Sequence, residues 1–138
     1  MIINTKIRYG LRTVIEIAMS DKPGGMYQKD IAVSQKISNK YLDSIISSLK
    51  VKGLIANTSG KRSGYILGKP KEEITLYDIY TAFEPISVVP CLSNPECCVN
   101  ADRCKARKYW QNFKNDYEIL LKSRTLIQII EDEAYEIV

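Results

Sequence analysis

Apolar side chains at Ile7, Leu11, Val14, Ile15 and Ala18 recur three and four residues apart. This spacing predicts an amphipathic helix from about Thr5 to Met19, ended by Asp21-Lys22-Pro23-Gly24-Gly25. A short helix follows over Gln28–Ser34, with Ile31 facing a core and Ala32 permitting close helix approach. Ser34-Gln35-Lys36-Ile37 reads as a turn. Ser38 is the N-cap of a second helix whose Leu42, Ile45, Ile46 and Leu49 form an inward stripe. Short helix, tight turn with an inward aliphatic, and longer helix make a helix-turn-helix. The outer face of the longer helix carries Ser38, Asn39, Lys40, Asp43, Ser44 and Ser47. Small hydrogen-bonding side chains of this kind suit a major groove.

The pattern then changes period. Leu54-Ile55-Ala56-Asn57-Thr58 and Tyr65-Ile66-Leu67 predict two short strands around a basic tip, Ser59-Gly60-Lys61-Arg62-Ser63-Gly64. A hairpin directly after a helix-turn-helix is a wing, and Lys61 and Arg62 at its tip suit phosphates or a narrow minor groove. Ile74 to Glu84 predicts another helix, started by a Thr75/Asp78 capping box. Pro85 and Pro90 bracket an extended segment. A long helix then begins at Asn100 or Asp102. Its Trp110, Phe113, Tyr117 and Leu120 lie three and four apart, Arg124 interrupts the series, and Ile127 resumes it. Such a narrow seam suits a helix–helix interface between subunits. A final short helix from Thr125 folds back.

Charge adds a polarity to this outline. Residues 1–71 hold 13 Lys/Arg against 4 Asp/Glu, and residues 72–138 hold 7 against 12. A basic first half fits a polyanion, with Arg8 of the first helix and Lys40 as further phosphate contacts. No apolar run approaches the ~18 residues that span a bilayer, and Met1-Ile2-Ile3-Asn4-Thr5-Lys6 does not open as a signal peptide. A cytoplasmic protein with no membrane contact is expected. The chemistry is concentrated in one place. All 4 cysteines fall within residues 91–104, and the chain has 0 histidines. In a reducing compartment clustered thiols serve metals or redox reactions more often than disulfides.

In this order and spacing, several short runs resemble one bacterial family of winged-helix regulators. They are Arg8-Tyr9-Gly10-Leu11-Arg12, Ile37-Ser38 with Tyr41-Leu42, Gly53-Leu54-Ile55, Gly64-Tyr65-Ile66-Leu67-Gly68-Lys69, Asp78-Ile79 with Phe83-Glu84-Pro85-Ile86, the cysteine loop, and Trp110. The family includes the iron–sulfur cluster regulator (IscR), the nitric-oxide-sensitive repressor (NsrR) and the cysteine-metabolism repressor (CymR). The resemblance covers about Asn4 to Ile130. It implies a non-enzymatic, homodimeric transcription factor on a pseudo-palindromic double-stranded operator, controlled by iron–sulfur status, nitric oxide or oxidative stress. It also implies a 2Fe–2S or 4Fe–4S cluster on three loop cysteines about five residues apart. Cys91 and Cys104 match, with either Cys97 or Cys98 between them. The outside ligands of the relatives fall on Arg107 and Arg8, which cannot ligate. The second vicinal cysteine, Glu96, Asp102, solvent or an exogenous thiol is left for the fourth position.

The expected fold is mainly α with a small β-hairpin. A winged helix-turn-helix DNA-binding domain spans residues 1–84, a cysteine-rich sensor loop 85–101, and a dimerisation helix with C-terminal tail 102–138. The candidate DNA contacts are Ser38, Asn39, Lys40, Tyr41, Asp43, Ser44, Lys61, Arg62 and Arg8; the dimer seam is Trp110, Phe113, Tyr117 and Leu120. Zinc competes with the cluster, although the paired Cys-x-x-Cys of structural zinc sites is missing. A metal-free switch on Cys97-Cys98 is the next alternative. A small cysteine redox protein that binds no DNA is the reading from another class. It lacks a histidine base and a nucleotide-binding glycine loop.

Overall fold

The computed structural model describes residues 3–58 and 63–132. Its helices begin where the sequence supplies caps. Helix α1, Thr5–Met19, starts at Asn4, whose side chain accepts from the Ile7 amide at 2.9 Å. Helix α2 is Gln28–Gln35 and α3 is Asn39–Val51. Ser38 caps α3 by accepting from the Tyr41 amide at 3.1 Å. Between them Lys36 takes a left-handed conformation and turns the chain, which seats Ile37 in the core. Gly53, at φ +81°, closes α3, and the Leu54 amide returns to the Leu49 carbonyl at 3.0 Å. That reversal needs a residue without a Cβ penalty.

Strands β1, Ile55–Asn57, and β2, Tyr65–Leu67, pair antiparallel with Ile55 opposite Leu67 and Asn57 opposite Tyr65. Met26 adds a bridge to Tyr65. Helix α4, Leu76–Phe83, carries the Thr75/Asp78 capping box. Helices α1, α3 and α4 enclose the main core, built on Val14, Ile17, Ile31, Leu42, Ile45, Leu49, Leu54, Ile74 and Ile79. Helix α7, Leu126–Glu131, folds back as expected and places Leu126 in that core at 0% exposure. Full burial of one leucine contributes about 2 kcal/mol. The Leu126 amide also donates to the Ile74 carbonyl at 2.6 Å. A second cluster of Ile7, Tyr80, Ile86 and Leu121 joins α1 and α4 to α6, Lys105–Lys122.

Several boundaries differ from the expectation. Helix α1 buries Ile7, Gly10, Thr13, Val14 and Ile17, so its inward face is rotated from the all-aliphatic stripe. Thr13 is tolerated there because its hydroxyl donates to the Tyr9 carbonyl at 2.7 Å. Gly10 faces inward against the Phe83 ring, which fills the space that a Cβ would need. The segment between Pro85 and Pro90 holds no helix or strand, as expected, and the departure comes at its end. One helical turn, α5, covers Pro90–Ser93, and a 3-10 turn covers Pro95–Cys97. Each starts on a proline whose fixed φ suits a first helical position. The long helix starts at Lys105, because residues 98–103 are held in turns by the Ala101→Cys98 and Arg103→Asn100 backbone bonds. It ends at Lys122, so Ile127 belongs to α7, which opens with its own Thr125/Gln128 capping box.

Candidate nucleic-acid interface and cysteine loop

The four inward residues of α3 are buried, which leaves Ser38, Asn39, Lys40, Asp43, Ser44 and Ser47 exposed on its other side. Ser38 spends its oxygen on the cap and keeps its hydroxyl proton for an outside acceptor. Tyr41 is half-buried, its ring edge-on to Tyr9 at 5.9 Å. Arg8 is exposed and donates to the Thr5 hydroxyl at 3.2 Å. Lys61 and Arg62 lie outside the described residues.

Two residues that periodicity does not single out organise this face. Arg12 lies 4.8 Å over the Tyr9 ring and donates to the Gln35 side chain at 2.7 Å and to the Gln35 carbonyl at 2.6 Å. It therefore ties α1 to the last carbonyl of α2, where a cation is favoured. Gln28, the first residue of α2, donates its side-chain amide to Asn39 and Asp43 on α3. A polar residue at a helix start carries no such signal in sequence, because both partners lie more than ten positions away.

The four cysteines are all free thiols. Cys97 and Cys98 are exposed, whereas Cys91 and Cys104 are half-buried. Cys104 is the N-cap of α6, and its Sγ accepts from the Arg107 amide at 3.4 Å. The Arg107 side chain reaches back to the Cys91 carbonyl at 3.2 Å. One residue thus binds both ends of the loop. A depression of about 400 Å³ beside Cys104 is lined by Arg103, Lys105, Arg107 and Lys108 together with Asp102. Among the described residues, no three Cys, Asp or Glu side chains are gathered closely enough to hold a metal ion.

The expected α6 seam is divided in the structure. Tyr117 and Leu121 face their own chain, and Tyr117 stands edge-on to Tyr80 at 6.2 Å. Burial raises the phenol of Tyr80 above its ordinary value, and the neighbouring Tyr117 and Glu84 add to the rise. Tyr117 is raised by burial as well. Tyr109, Trp110 and Phe113 form a ladder of edge contacts at 5.1 and 5.9 Å, and Leu120 is 66% exposed. Leu120 borders an apolar groove of about 480 Å³ with Ile3, Leu11, Leu76, Tyr117 and Ile129. No helix among the described residues is long and apolar enough to cross a membrane.

This arrangement has known counterparts. A family model described as Rrf2, iron-dependent transcriptional regulator, matches residues 3–132. Protein rrf2 of Nitratidesulfovibrio vulgaris is 33% identical over 135 residues, covering 97% of this chain and 90% of the relative. The structure of CymR, the global cysteine regulator of B. subtilis, superposes with a TM-score of 0.71 at 30% identity, over 94% of this chain and 96% of that one. IscR of T. potens gives a TM-score of 0.75 at 25% identity, over 100% and 93%. The winged helix-turn-helix anticipated from the sequence is the fold these regulators share. The chain belongs to the Rrf2 family, and with it to the DNA-binding transcriptional regulators rather than to the enzymes.

Proposed function

We propose that the chain works as a homodimer on a pseudo-palindromic operator, with α3 in the major groove and the wing on the flanking backbone. The state of Cys91, Cys97, Cys98 and Cys104 sets its affinity. The observation that carries this reading is where the thiols lie. Their loop runs from α4, which packs on α1 and α3, to α6, whose outer apolar face is open. A change in the loop therefore bears on the DNA reader at one end and on the subunit contact at the other.

The donor set fits an iron–sulfur cluster in kind, since such clusters are held chiefly by thiolates. Cys91, Cys104 and one of Cys97 and Cys98 would hold it. Arg107 already draws the first two toward one residue. Arg103, Lys105 and Lys108, with the start of an 18-residue helix, favour an anionic group there. A bound cluster would supply a centre that nitric oxide, oxygen or iron shortage alters. The loop must close for this, because its donors are not gathered in the structure. The exposure of the adjacent Cys97 and Cys98 favours a second reading, a switch made by thiol oxidation alone.

Anaerobic purification tests the cluster directly. A brown protein with iron and sulfide in equal amounts is expected, together with a gel shift of the DNA upstream of its own gene that changes on nitric oxide treatment. Colourless protein with stoichiometric zinc would overturn the cluster. Retention of the gel shift after replacing all four cysteines by serine, with or without oxidant, would overturn control by the loop. Lys40→Ala with Lys61→Ala should weaken the shift and flatten its salt dependence by roughly one charge per lost phosphate contact.

A further inference from the structure

Gln28 sits at the start of α2, outside the helix that faces DNA in the reading above, yet its side chain is committed to that helix. Its Nε2 has two N–H groups for three acceptors, the Asn39 Oδ1 at 3.2 Å, the Asn39 carbonyl at 3.2 Å and the Asp43 Oδ1, so one proton is shared, between the two Asn39 oxygens. Asn39 and Asp43 stand one helical turn apart on the exposed side of α3. One amide thus braces both. We propose that Gln28 is a positioning residue for base specificity, holding Asp43 so that it demands an exocyclic amine at one position of each operator half-site.

The chemistry follows from what Gln28 is. An amide is neutral, so it orients the Asp43 carboxylate without cancelling its charge. No lysine or arginine among the described residues forms an ion pair with Asp43. A carboxylate on a face that meets a polyanion is repelled by phosphates and accepts hydrogen bonds only. In the major groove the donors that can satisfy it are the cytosine N4 and adenine N6 amines. With Oδ1 held by Gln28, Oδ2 is the oxygen left for the base. Asn39, whose Oδ1 is likewise held, keeps its Nδ2 as a donor for an adjacent N7, O6 or phosphate. Bracing orders both rotamers before DNA arrives, so less freedom is lost on binding. Lysine or arginine at position 28 would neutralise the carboxylate and blunt this preference, whereas an aliphatic residue would leave it unbraced.

The inference rests on α3 as the base reader, and the test separates the two. The full-length protein is used to select duplexes from a randomised pool, alongside Gln28→Ala, Gln28→Glu and Asp43→Ala. The wild type should enrich cytosine or adenine at one position per half-site, by about tenfold over the other bases. Asp43→Ala should flatten that position alone. Gln28→Ala should cut its discrimination by about threefold or more, and Gln28→Glu further, through repulsion of Asp43. In the Gln28 variants only the adjacent position that Asn39 faces should loosen with it, and the salt slopes of Gln28→Ala and of the wild type should agree. A wild type that selects no motif would overturn the DNA-reading role of α3 and this proposal together. A wild-type motif returned unchanged by both Gln28 variants, or by Asp43→Ala, would overturn the proposal alone. Uniformly weaker binding with a lowered melting temperature and unaltered base ratios would assign Gln28 a structural role and overturn it equally.

Discussion

Lys36 is the one non-glycine residue, among those described, that holds a positive φ. At φ 55° it caps α2 and makes the turn that sends Ser38 into α3. Its backbone amide bonds the Ala32 and Val33 carbonyls, so the conformation is held by the helix end rather than by the side chain, which is exposed. An L-residue with a Cβ costs roughly 1 kcal/mol in this region. Lys36→Gly should therefore stabilise the fold by about 0.5–1 kcal/mol, part of the gain being offset by the freer unfolded chain. Urea unfolding would show a higher midpoint at an unchanged slope; a lower midpoint would mean that the lysine side chain contributes something the backbone account omits. Residues of this kind mark where the sequence stops being legible. Ile31, Leu42, Ile45 and Leu49 announce their burial by spacing. Gly10, Thr13 and Gln28 do not, because their places depend on Phe83, on a carbonyl in the preceding turn, and on two residues of another helix.

Elements were legible wherever a local cap coincided with a period. Asn4, Ser38, Thr75 and Thr125 each start a helix by accepting a hydrogen bond from the backbone three residues on. The cysteine loop had no such marker, and its turns come from prolines and from Cys104 acting as a cap. Helix α6 shows how one stripe serves two surfaces. Its Trp110, Phe113, Tyr117 and Leu120 read as a single seam, yet Tyr117 packs toward α4 beside the buried Leu121, a residue outside that seam, and Trp110 and Leu120 are left open. The α4–α6 contact has a pH signature. Burial first, then neighbouring groups, raises the Tyr80 phenol in the folded state, and burial raises Tyr117. The folded protein thus holds these protons more tightly than the unfolded chain. Their stabilisation is complete below the ordinary tyrosine value of about 10 and is lost as pH rises through the higher folded values. Melting temperatures taken from pH 8.5 upward should fall steeply above about pH 10, and less steeply in Tyr80→Phe, which has no proton to lose. Equal alkaline slopes in the two proteins would remove this contact as the cause.

At the scale of the whole molecule the open faces converge. Tyr109, Trp110 and Phe113 line the first half of α6, and Leu120 edges the groove with Ile3, Leu11, Leu76 and Ile129. A stable subunit interface covers roughly 800 Å² per partner around an apolar centre. The proposed dimer would find that centre along this side of α6. A charge inserted there is tolerated in the separate chain, because Leu120 is already 66% exposed. In an interface it would be buried without a partner, at a cost of several kcal/mol. Leu120→Glu should therefore keep the far-UV spectrum and cooperative unfolding of a folded chain, melting lower only by what association adds to the wild type, while sedimenting at the chain mass rather than at twice that mass. Its DNA binding should change in a defined way. Two linked readers on a two-fold site gain a second binding event at high effective concentration, commonly worth 10²–10⁴ in affinity. The variant should lose about that factor on a full operator, while its affinity for an isolated half-site stays close to that of one wild-type reader. A wild type that sediments as a monomer at all concentrations, or a Leu120→Glu protein that stays dimeric, would move the interface elsewhere. A monomeric variant that kept full operator affinity would show that one chain reads the whole site, and the loop would then have to act on α3 through α4 alone.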